Sequence, residues 1–409
     1  MSADAVLDAA RLIWPAPATV TIGRPDGPAP AGRREFVLVP SAADPRLVVP
    51  LRPRAAAAAV ARSHTAPGSA KAAARTAVLS LVFASGGGGV LLRDRLVVDV
   101  PGGAPALDDH LSVLLGRPVV IGLRVGPPRA NRKPVLQVVT SAGELVAYAK
   151  LGVNALTDEL VANEASALTR LGSAILGQVR VPEVLHSGTW QGHQLLVQAA
   201  LPVRRSNLSD AGARTTAAMV SVARADRSPA MAVRDLPWWE RTQHVVGDLP
   251  PGDNATALAA VGDSLAARAD QVVPSGGWHG DWNPGNCAVR PDAVLVWDWE
   301  RYETGVPAGF DALHLSLQGA IGSGVDPRAA AGRLISDAPL LLAPFGVDTA
   351  DGAAAAELVA MLYLWGLGAR YAKDDQAAAG AAVGRLETWL LPVLAQALVR
   401  VAQTVEKES

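Results

Sequence analysis

Over the first two hundred residues the apolar positions fall in short runs of four to seven, separated by turn residues. Glu35 to Pro40 and Arg46 to Leu51 are rich in Val and Leu and bounded by Pro and Ala-Asp-Pro, which predicts two short strands. Ala55 to Arg62 and Ala70 to Phe83 carry Ala and Leu at helical density and predict helices. The four-glycine run Gly86 to Gly89 has no Lys-Ser/Thr after it, so it reads as a turn into a strand over Val90 to Val100 and not as a phosphate loop. Val119 to Val125, Val135 to Thr140 and Leu145 to Leu151 predict three more strands. Thr157 to Leu171 predicts a helix, with Thr157 as N-cap, Asp158 and Glu159 at its positive end and Leu160, Val161, Leu168 and Leu171 on one face. Glu183 to Ser187 and Gln194 to Gln198 predict strands ending at Leu201-Pro202.

Beyond Pro202 the spacing turns helical. Ala211 to Ala225, Trp238 to Asp248, Thr256 to Val272, Ala353 to Tyr371 and Ala379 to Val405 predict helices, and a strand–loop–strand unit over Gly276 to Trp299 interrupts them. The order is a sheet with one helix, then mostly helix: an α+β chain without internal repeats. We expect three parts: a module over residues 1–105, a β-rich part over 106–201 and a helical part over 202–409.

The 409-residue length agrees with more than one domain, and the 50% hydrophobic content is enough for a sizeable core. A formal net charge of -1 argues against a general nucleic-acid or membrane-surface binder. That balance hides a split. Residues 1–140 hold 17 basic and 9 acidic side chains, a net of +8, and residues 141–409 hold 20 and 29, a net of -9. Two differently solvated domains would give this, as would an acidic substrate region. The single cysteine, Cys287, excludes a disulfide framework and a thiolate zinc site. The N-terminus lacks a signal-peptide pattern, and Ala353 to Leu367 is too short to span a membrane, so a soluble, cytoplasmic protein is expected. Lysine occurs five times against 32 arginines, in keeping with a GC-rich coding bias, which makes the position of each lysine informative.

The chemistry concentrates in Trp278-His279-Gly280-Asp281-Trp282-Asn283-Pro284-Gly285-Asn286, followed by Val296-Trp297-Asp298-Trp299-Glu300. Three polar groups emerge between apolar strands: Asp281, Asn286 and Asp298. Phosphoryl transfer calls for such a set, one carboxylate to orient the attacking hydroxyl and an amide oxygen and second carboxylate to hold a divalent cation. Taken alone, Asp281 to Asn286 also fits an Asn-Pro-Gly turn. Upstream, Lys150 ends an apolar strand, where an ammonium group is costly to desolvate unless paired. Glu159 and Glu164 on the next helix are its candidate partners.

His-Gly-Asp-x4-Asn followed by Asp-Trp-Glu resembles the aminoglycoside/choline kinase-like phosphotransferases, relatives of the protein kinases, over roughly residues 111–330. The resemblance implies a bilobal protein-kinase-like fold, with a small β-rich N-lobe and a larger helical C-lobe. It implies ATP and Mg2+ as cofactors and a small-molecule hydroxyl as acceptor. Asp281 would be the catalytic base, Asn286 and Asp298 the Mg2+ ligands, and Lys150, held by Glu164, the contact to the ATP phosphates. Asp311, in Gly309-Phe310-Asp311-Ala312-Leu313, matches an aspartate that bonds the catalytic-loop backbone, and His279 orients that loop. Leu195 to Pro202 matches the strand joining the lobes, where adenine would bond backbone groups near Gln198 and Ala200. The phosphate-covering loop falls within Val125 to Pro134. It lacks the G-x-G-x-x-G pattern, and Arg129, Asn131, Arg132 and Lys133 either reach phosphates or form a solvated basic turn.

Trp282, Trp299 and Glu300 flank the catalytic groups and are candidate substrate contacts, through ring stacking and a carboxylate. Trp278 and Trp297 fit core packing better, and Trp238-Trp239-Glu240 fits either a pocket wall or a buried helix start. The extra N-terminal α/β module resembles the cap of maltokinase-like sugar kinases, which points to a sugar, amino sugar or aminoglycoside acceptor. A catalytically silent nucleotide-binding regulator and a kinase with a protein acceptor are the alternatives. The intact Lys150, Glu164, Asp281, Asn286 and Asp298 set argues against the first, and the short Asp298–Asp311 stretch against the second. A monomer or homodimer is expected.

Overall fold

The computed structural model describes residues 3–24, 30–63, 70–124, 126, 129–203, 208–347 and 353–408. The chain divides into two compact units, Met1–Thr169 with Pro182–Pro202, and Arg170–Val181 with Val203–Ser409. Among the described residues no helix is long and apolar enough to cross a membrane.

The first unit runs α1 (Ala3–Ile13), β1 (Thr19–Ile22), β2 (Arg33–Val39), β3 (Leu47–Pro50), α2 (Arg54–Arg62), α3 (Ala70–Ala84), α4 (Gly88–Leu91), β4 (Arg95–Asp99), α5 (Leu107–Leu114), β5 (Val119–Arg124), β6 (Val135–Thr140), β7 (Leu145–Leu151) and α6 (Ala155–Gly172). After β8 (Val179–Arg180) come β9 (Val184–Trp190) and β10 (His193–Ala199). One nine-stranded sheet orders them β1-β4-β2-β3-β5-β6-β7-β10-β9. The side-chain period of two assigns each strand residue to a face. Phe36, Leu38, Val48 and Val138 join the core beneath α1 and α5, while Val37, Leu47, Val49 and Val139 join the core beneath α2 and α3. Helix α2 is nearly all alanine and buries Ala56 to Ala61, so it lies close on the sheet. Gly122 permits this, because a Cβ there would sit 2.3 Å from a Val60 methyl.

The β-like pattern over Val90 to Val100 resolves into two elements. The glycine run winds into α4, and the Arg95 guanidinium folds back onto the Gly89 and Leu92 carbonyls before β4 continues the sheet. Helix α6 begins two residues earlier than its pattern suggests. Asn154 is the cap: its Oδ1 accepts from the Thr157 N–H at 2.9 Å, and Thr157 Oγ1 accepts in return from the Asn154 N–H at 3.0 Å. Asp158 stands in the first turn, as expected, and also ties the helix to β10, accepting from the Gln194 N–H at 2.8 Å.

The second unit runs from β8 through α7 (Ala211–Ala225), β11 (Ser228–Ala232), α8 (Pro237–Gly247), α9 (Asp253–Ala266), β12 (Val272–Trp278), β13 (Cys287–Val289), β14 (Val294–Val296), β15 (Glu303–Pro307), α10 (Phe310–Gly322), α11 (Pro327–Leu342), α12 (Ala353–Lys373) and α13 (Leu386–Glu408). Helices α8 to α13 share one core that includes Trp238, Trp239, Phe310, Tyr363, Trp365 and Trp389. Trp238 and Trp239 are thus a buried helix start and not a pocket wall. Helix α9 stops at Ala266, short of the expected Val272, because Val272 already opens β12. The strands form two three-stranded sheets, β11-β12-β15 and β13-β14-β8. The expected α+β class is met, with strands concentrated in the first unit and helices in the second.

Candidate active site

In the first unit, β7 lies between β6 and β10, with Lys150 opposite Val135 on one side and Leu196 on the other. Its side chain is 6% exposed and that of Glu164 is fully buried. The ammonium donates to both carboxylate oxygens of Glu164, at 2.8 and 2.6 Å. Glu164 is therefore the partner, and Glu159 is exposed on the same helix. A two-point contact of this kind repays part of the desolvation that neither charge could bear alone.

Gln198 is an interior strand residue, between Tyr148 of β7 and Val184 of β9. The Ala200 N–H donates to the Val146 carbonyl at 3.1 Å. Sheet pairing therefore extends to Ala200 and occupies its N–H. In the expected phosphate-covering loop, Val125, Pro127 and Pro128 lie outside the described residues, while Lys133 is buried.

In the second unit, β12 delivers the chain to His279, and the β13–β14 hairpin fixes the rest. Cys287 pairs with Val296, and the Trp297 N–H donates to the Asn286 carbonyl at 3.0 Å. Antiparallel pairing therefore brings Asn286 and Asp298 out at the same end of the hairpin, though twelve residues separate them in sequence. Gly280 makes the turn before Asp281. Its φ is +84°, and a Cβ there would lie 2.3 Å from the Arg301 carbonyl oxygen, so only glycine fits.

The Asp281 carboxylate is held at both oxygens. Oδ1 lies 3.1 Å from His314 Nε2, and Oδ2 accepts from Asn286 Nδ2 at 3.0 Å. Asn286 Nδ2 also donates to the Asp281 carbonyl at 3.0 Å, so both its hydrogens serve the aspartate and Oδ1 is left as its ligand atom. The Asp281 side chain stays 39% exposed. Burial works to raise its pKa, but the His314 hydrogen bond, with Arg370, outweighs burial and the nearby Asp298, and holds it below the usual carboxylate value.

Asp311 and His314, three residues apart on α10, share a face. Asp311 accepts from the His279 N–H at 2.8 Å and the Gly280 N–H at 3.2 Å. Burial pushes its carboxyl up to about 6. His279 is buried too. The Asp281 N–H donates to its Nδ1 at 3.1 Å, so the ring hydrogen sits on Nε2 and meets the Trp297 carbonyl at 2.9 Å. His279 thus bridges the two arms of the loop from within.

Trp282 and Trp299 are fully buried. Their rings pack on His279, with centroids 5.7 and 4.6 Å away, and Trp299 Nε1 donates to the Val296 carbonyl at 3.0 Å. They brace the loop and offer no face to a substrate, which corrects that expectation. Glu300 is buried as well, and its carboxylate lies within 4.8 Å of that of Asp298. Paired carboxylates beside an amide oxygen suit a hard divalent cation better than a hydroxyl contact. Asp298 adopts a φ of +72°, a conformation a non-glycine residue keeps only where its surroundings impose it.

Three site residues are absent from the sequence reading: His314, Tyr363 and Arg370. His314 Nδ1 lies 2.9 Å from the Tyr363 hydroxyl. Arg370 donates to the Gly280 carbonyl at 2.7 Å and lies over the Trp278 ring, 5.8 Å from its centroid. Tyr363 and Arg370 are seven apart on α12, two turns along one face, and that spacing was the available signal.

No protein-family model matches the sequence, and no curated protein matches it. Among solved structures, the chain is similar to a thermostable mutant of an aminoglycoside phosphotransferase, at 12% identity over 72% of this chain and 99% of that one, with a TM-score of 0.48. It is similar to an amicoumacin kinase in complex with AMP-PNP, Ca2+ and its ligand, at 14% identity over 68% and 88%, TM-score 0.39. A glucosamine kinase in complex with glucosamine, ADP and inorganic phosphate aligns at 17% identity over 74% and 87%, TM-score 0.38. These structures are small-molecule phosphotransferases, the group whose motifs the sequence resembles.

Proposed function

We propose that this protein is an ATP-dependent phosphotransferase that moves the γ-phosphoryl group to a hydroxyl of a small molecule, a sugar, amino sugar or aminoglycoside. The observation that carries the reading is the Asp281 carboxylate, locked by His314 and Asn286 yet still accessible, beside the hairpin end that presents Asn286 and Asp298.

Each group has a part. Asn286 Oδ1 and the Asp298 carboxylate, with Glu300 adjacent, supply the hard oxygen donors that Mg2+ takes, and the cation would neutralise charge on the nucleotide phosphates. The Lys150 ammonium, oriented by Glu164, is assigned to the ATP phosphates. Asp281 accepts the acceptor's hydroxyl hydrogen. Because its pKa lies below the usual value, it is a weak base before reaction. Its task is to aim the hydroxyl oxygen and take the proton late, as suits a loose transition state that carries little charge on the nucleophile. Residues 1–105 are proposed as a cap on the small-lobe sheet. They join it through the pairing of β3 with β5, Leu47 opposite Arg124 and Val48 opposite Leu123.

The test is ADP release from purified protein with Mg-ATP and a panel of sugars, amino sugars and aminoglycosides. At least one acceptor should raise ADP release well above the acceptor-free rate, and EDTA should abolish it. ATP binding with no turnover on any acceptor would refute the assignment and leave a nucleotide-binding regulator.

A further inference from the structure

A buried chain of polar groups stands behind Asp281 and is unaccounted for by cation binding or by the loop contacts. His314 is 1% exposed, and the Tyr363 hydroxyl lies in the helical core. Both histidine nitrogens are engaged, Nε2 with Asp281 Oδ1 at 3.1 Å and Nδ1 with the Tyr363 hydroxyl at 2.9 Å. An ionised carboxylate only accepts, so the Nε2 contact requires a hydrogen on Nε2. In the neutral ring Nδ1 is then the acceptor, and the Tyr363 hydroxyl is its donor. The acceptor-only carboxylate thus selects one tautomer, and the Tyr363 hydroxyl, able to donate, satisfies the ring nitrogen which that tautomer leaves without a hydrogen.

We propose that His314 is a positioning residue for Asp281 and that Tyr363 supports its Nε2–H tautomer by donating to Nδ1; the inference rests on the phosphotransferase reading above. The elements that carry them are built for the task. Asp311 and His314 sit one turn apart on α10, so a single helix face holds the backbone of His279 and Gly280 with one residue and the side chain of Asp281 with the other. Helix α12 closes the arrangement from a second direction, Tyr363 on His314 and Arg370 on the Gly280 carbonyl. Asn286 holds the other carboxylate oxygen, so both oxygens of Asp281 are engaged. Fixing that carboxylate places a lone pair where the acceptor hydroxyl must point. Loss of the brace therefore lowers the rate of the bound complex without changing how substrates bind.

The test has a kinetic and a spectroscopic arm. His314→Leu should lower kcat by about ten- to a hundredfold, the scale of a hydrogen bond to a charged group, with KM for ATP and acceptor unchanged. His314→Gln, whose side-chain N–H can reach Oδ1, should recover much of that loss. In an Asp281→Ala background His314→Leu should cost nothing further. Equal losses in Leu and Gln variants that melt like the wild type would overturn the donor role, as would unchanged kcat in His314→Leu. The second arm needs no turnover. Nitrogen-15 spectra of the labelled protein, with the His314 signals assigned by their loss in His314→Gln, should show hydrogen on Nε2 and none on Nδ1. Tyr363→Phe should leave that hydrogen on Nε2, because Asp281 still requires it, and should shift the Nδ1 signal that loses its donor. Hydrogen on Nδ1 in the wild type would overturn the proposal, even if no acceptor supports turnover and the phosphotransferase reading itself has failed.

Discussion

The Lys150–Glu164 pair allows stability and chemistry to be separated. With 6% and 0% of the side chains exposed, both charges have left water, and the two contacts of 2.8 and 2.6 Å offset that cost. Removing one member leaves the other charge in a desolvated site without its main partner, which typically costs about 3–5 kcal/mol. Replacing both by apolar residues of similar size is often neutral, or stabilising by about 1–4 kcal/mol. We therefore expect Lys150→Met and Glu164→Leu each to destabilise by several kcal/mol, and the double variant to return to wild-type stability or beyond it. Guanidinium unfolding, followed by far-ultraviolet dichroism, measures all four corners of the cycle. ATP supplies the second half of the test. At a hundred times its Kd a ligand stabilises by about 2.7 kcal/mol, and that increment should appear in the wild type and vanish in the double variant. A pair kept for chemistry thus shows as a protein that is no less stable but does not respond to nucleotide. The reasoning is refuted if both single variants lie within about 1 kcal/mol of wild type, or if the double variant gains as much from ATP as the wild type.

Two further predictions concern the loop. Gly280→Ala would force a Cβ to 2.3 Å from the Arg301 carbonyl oxygen at a φ of +84°; the conformation alone costs about 1–2 kcal/mol and the overlap adds to it, so denaturant unfolding should show a loss above that range, and unchanged stability would contradict the geometry. Asp311 bears on pH. Its folded pKa of about 6 lies above the ordinary carboxylate value of 3.8, because burial disfavours the charge. A raised folded value means the contribution is full below the unfolded pKa and is lost as pH rises through the folded one. The stability of the wild type relative to Asp311→Asn should therefore fall by about 2 kcal/mol between pH 4 and pH 6.5 and level off above about pH 7. A difference that grows with pH would mean that the two backbone N–H donors hold the carboxylate ionised instead.

How far the sequence carried depends on what each residue had to satisfy locally. Strands β6 and β7 and helix α7 fall where the pattern placed them, because period and punctuation are properties of neighbouring residues. Lys150 and Glu164 were legible for a physical reason: a charge in an apolar strand must find a partner, and the next helix offered two. Trp282 and Trp299 misled, since proximity in sequence to Asp281 and Asp298 says nothing about which side of the loop a ring takes. Both turn inward onto His279. His314, Tyr363 and Arg370 escaped notice because α10 and α12 are mostly apolar, and polar residues spread over two helices declare themselves as one group only when the helices pack. The continuity of β3 with β5, which makes one sheet of the first 200 residues, is likewise a tertiary fact without a local signature.

The central claim is that Asp281 aims the acceptor hydroxyl, and the most direct measurement is kcat for Asp281→Ala on the acceptor that wild type turns over best, with the fold of the variant checked by its unfolding transition. The account predicts a fall of about 10²–10⁴-fold with KM for ATP little changed. A variant that transfers phosphate at the wild-type rate would contradict it.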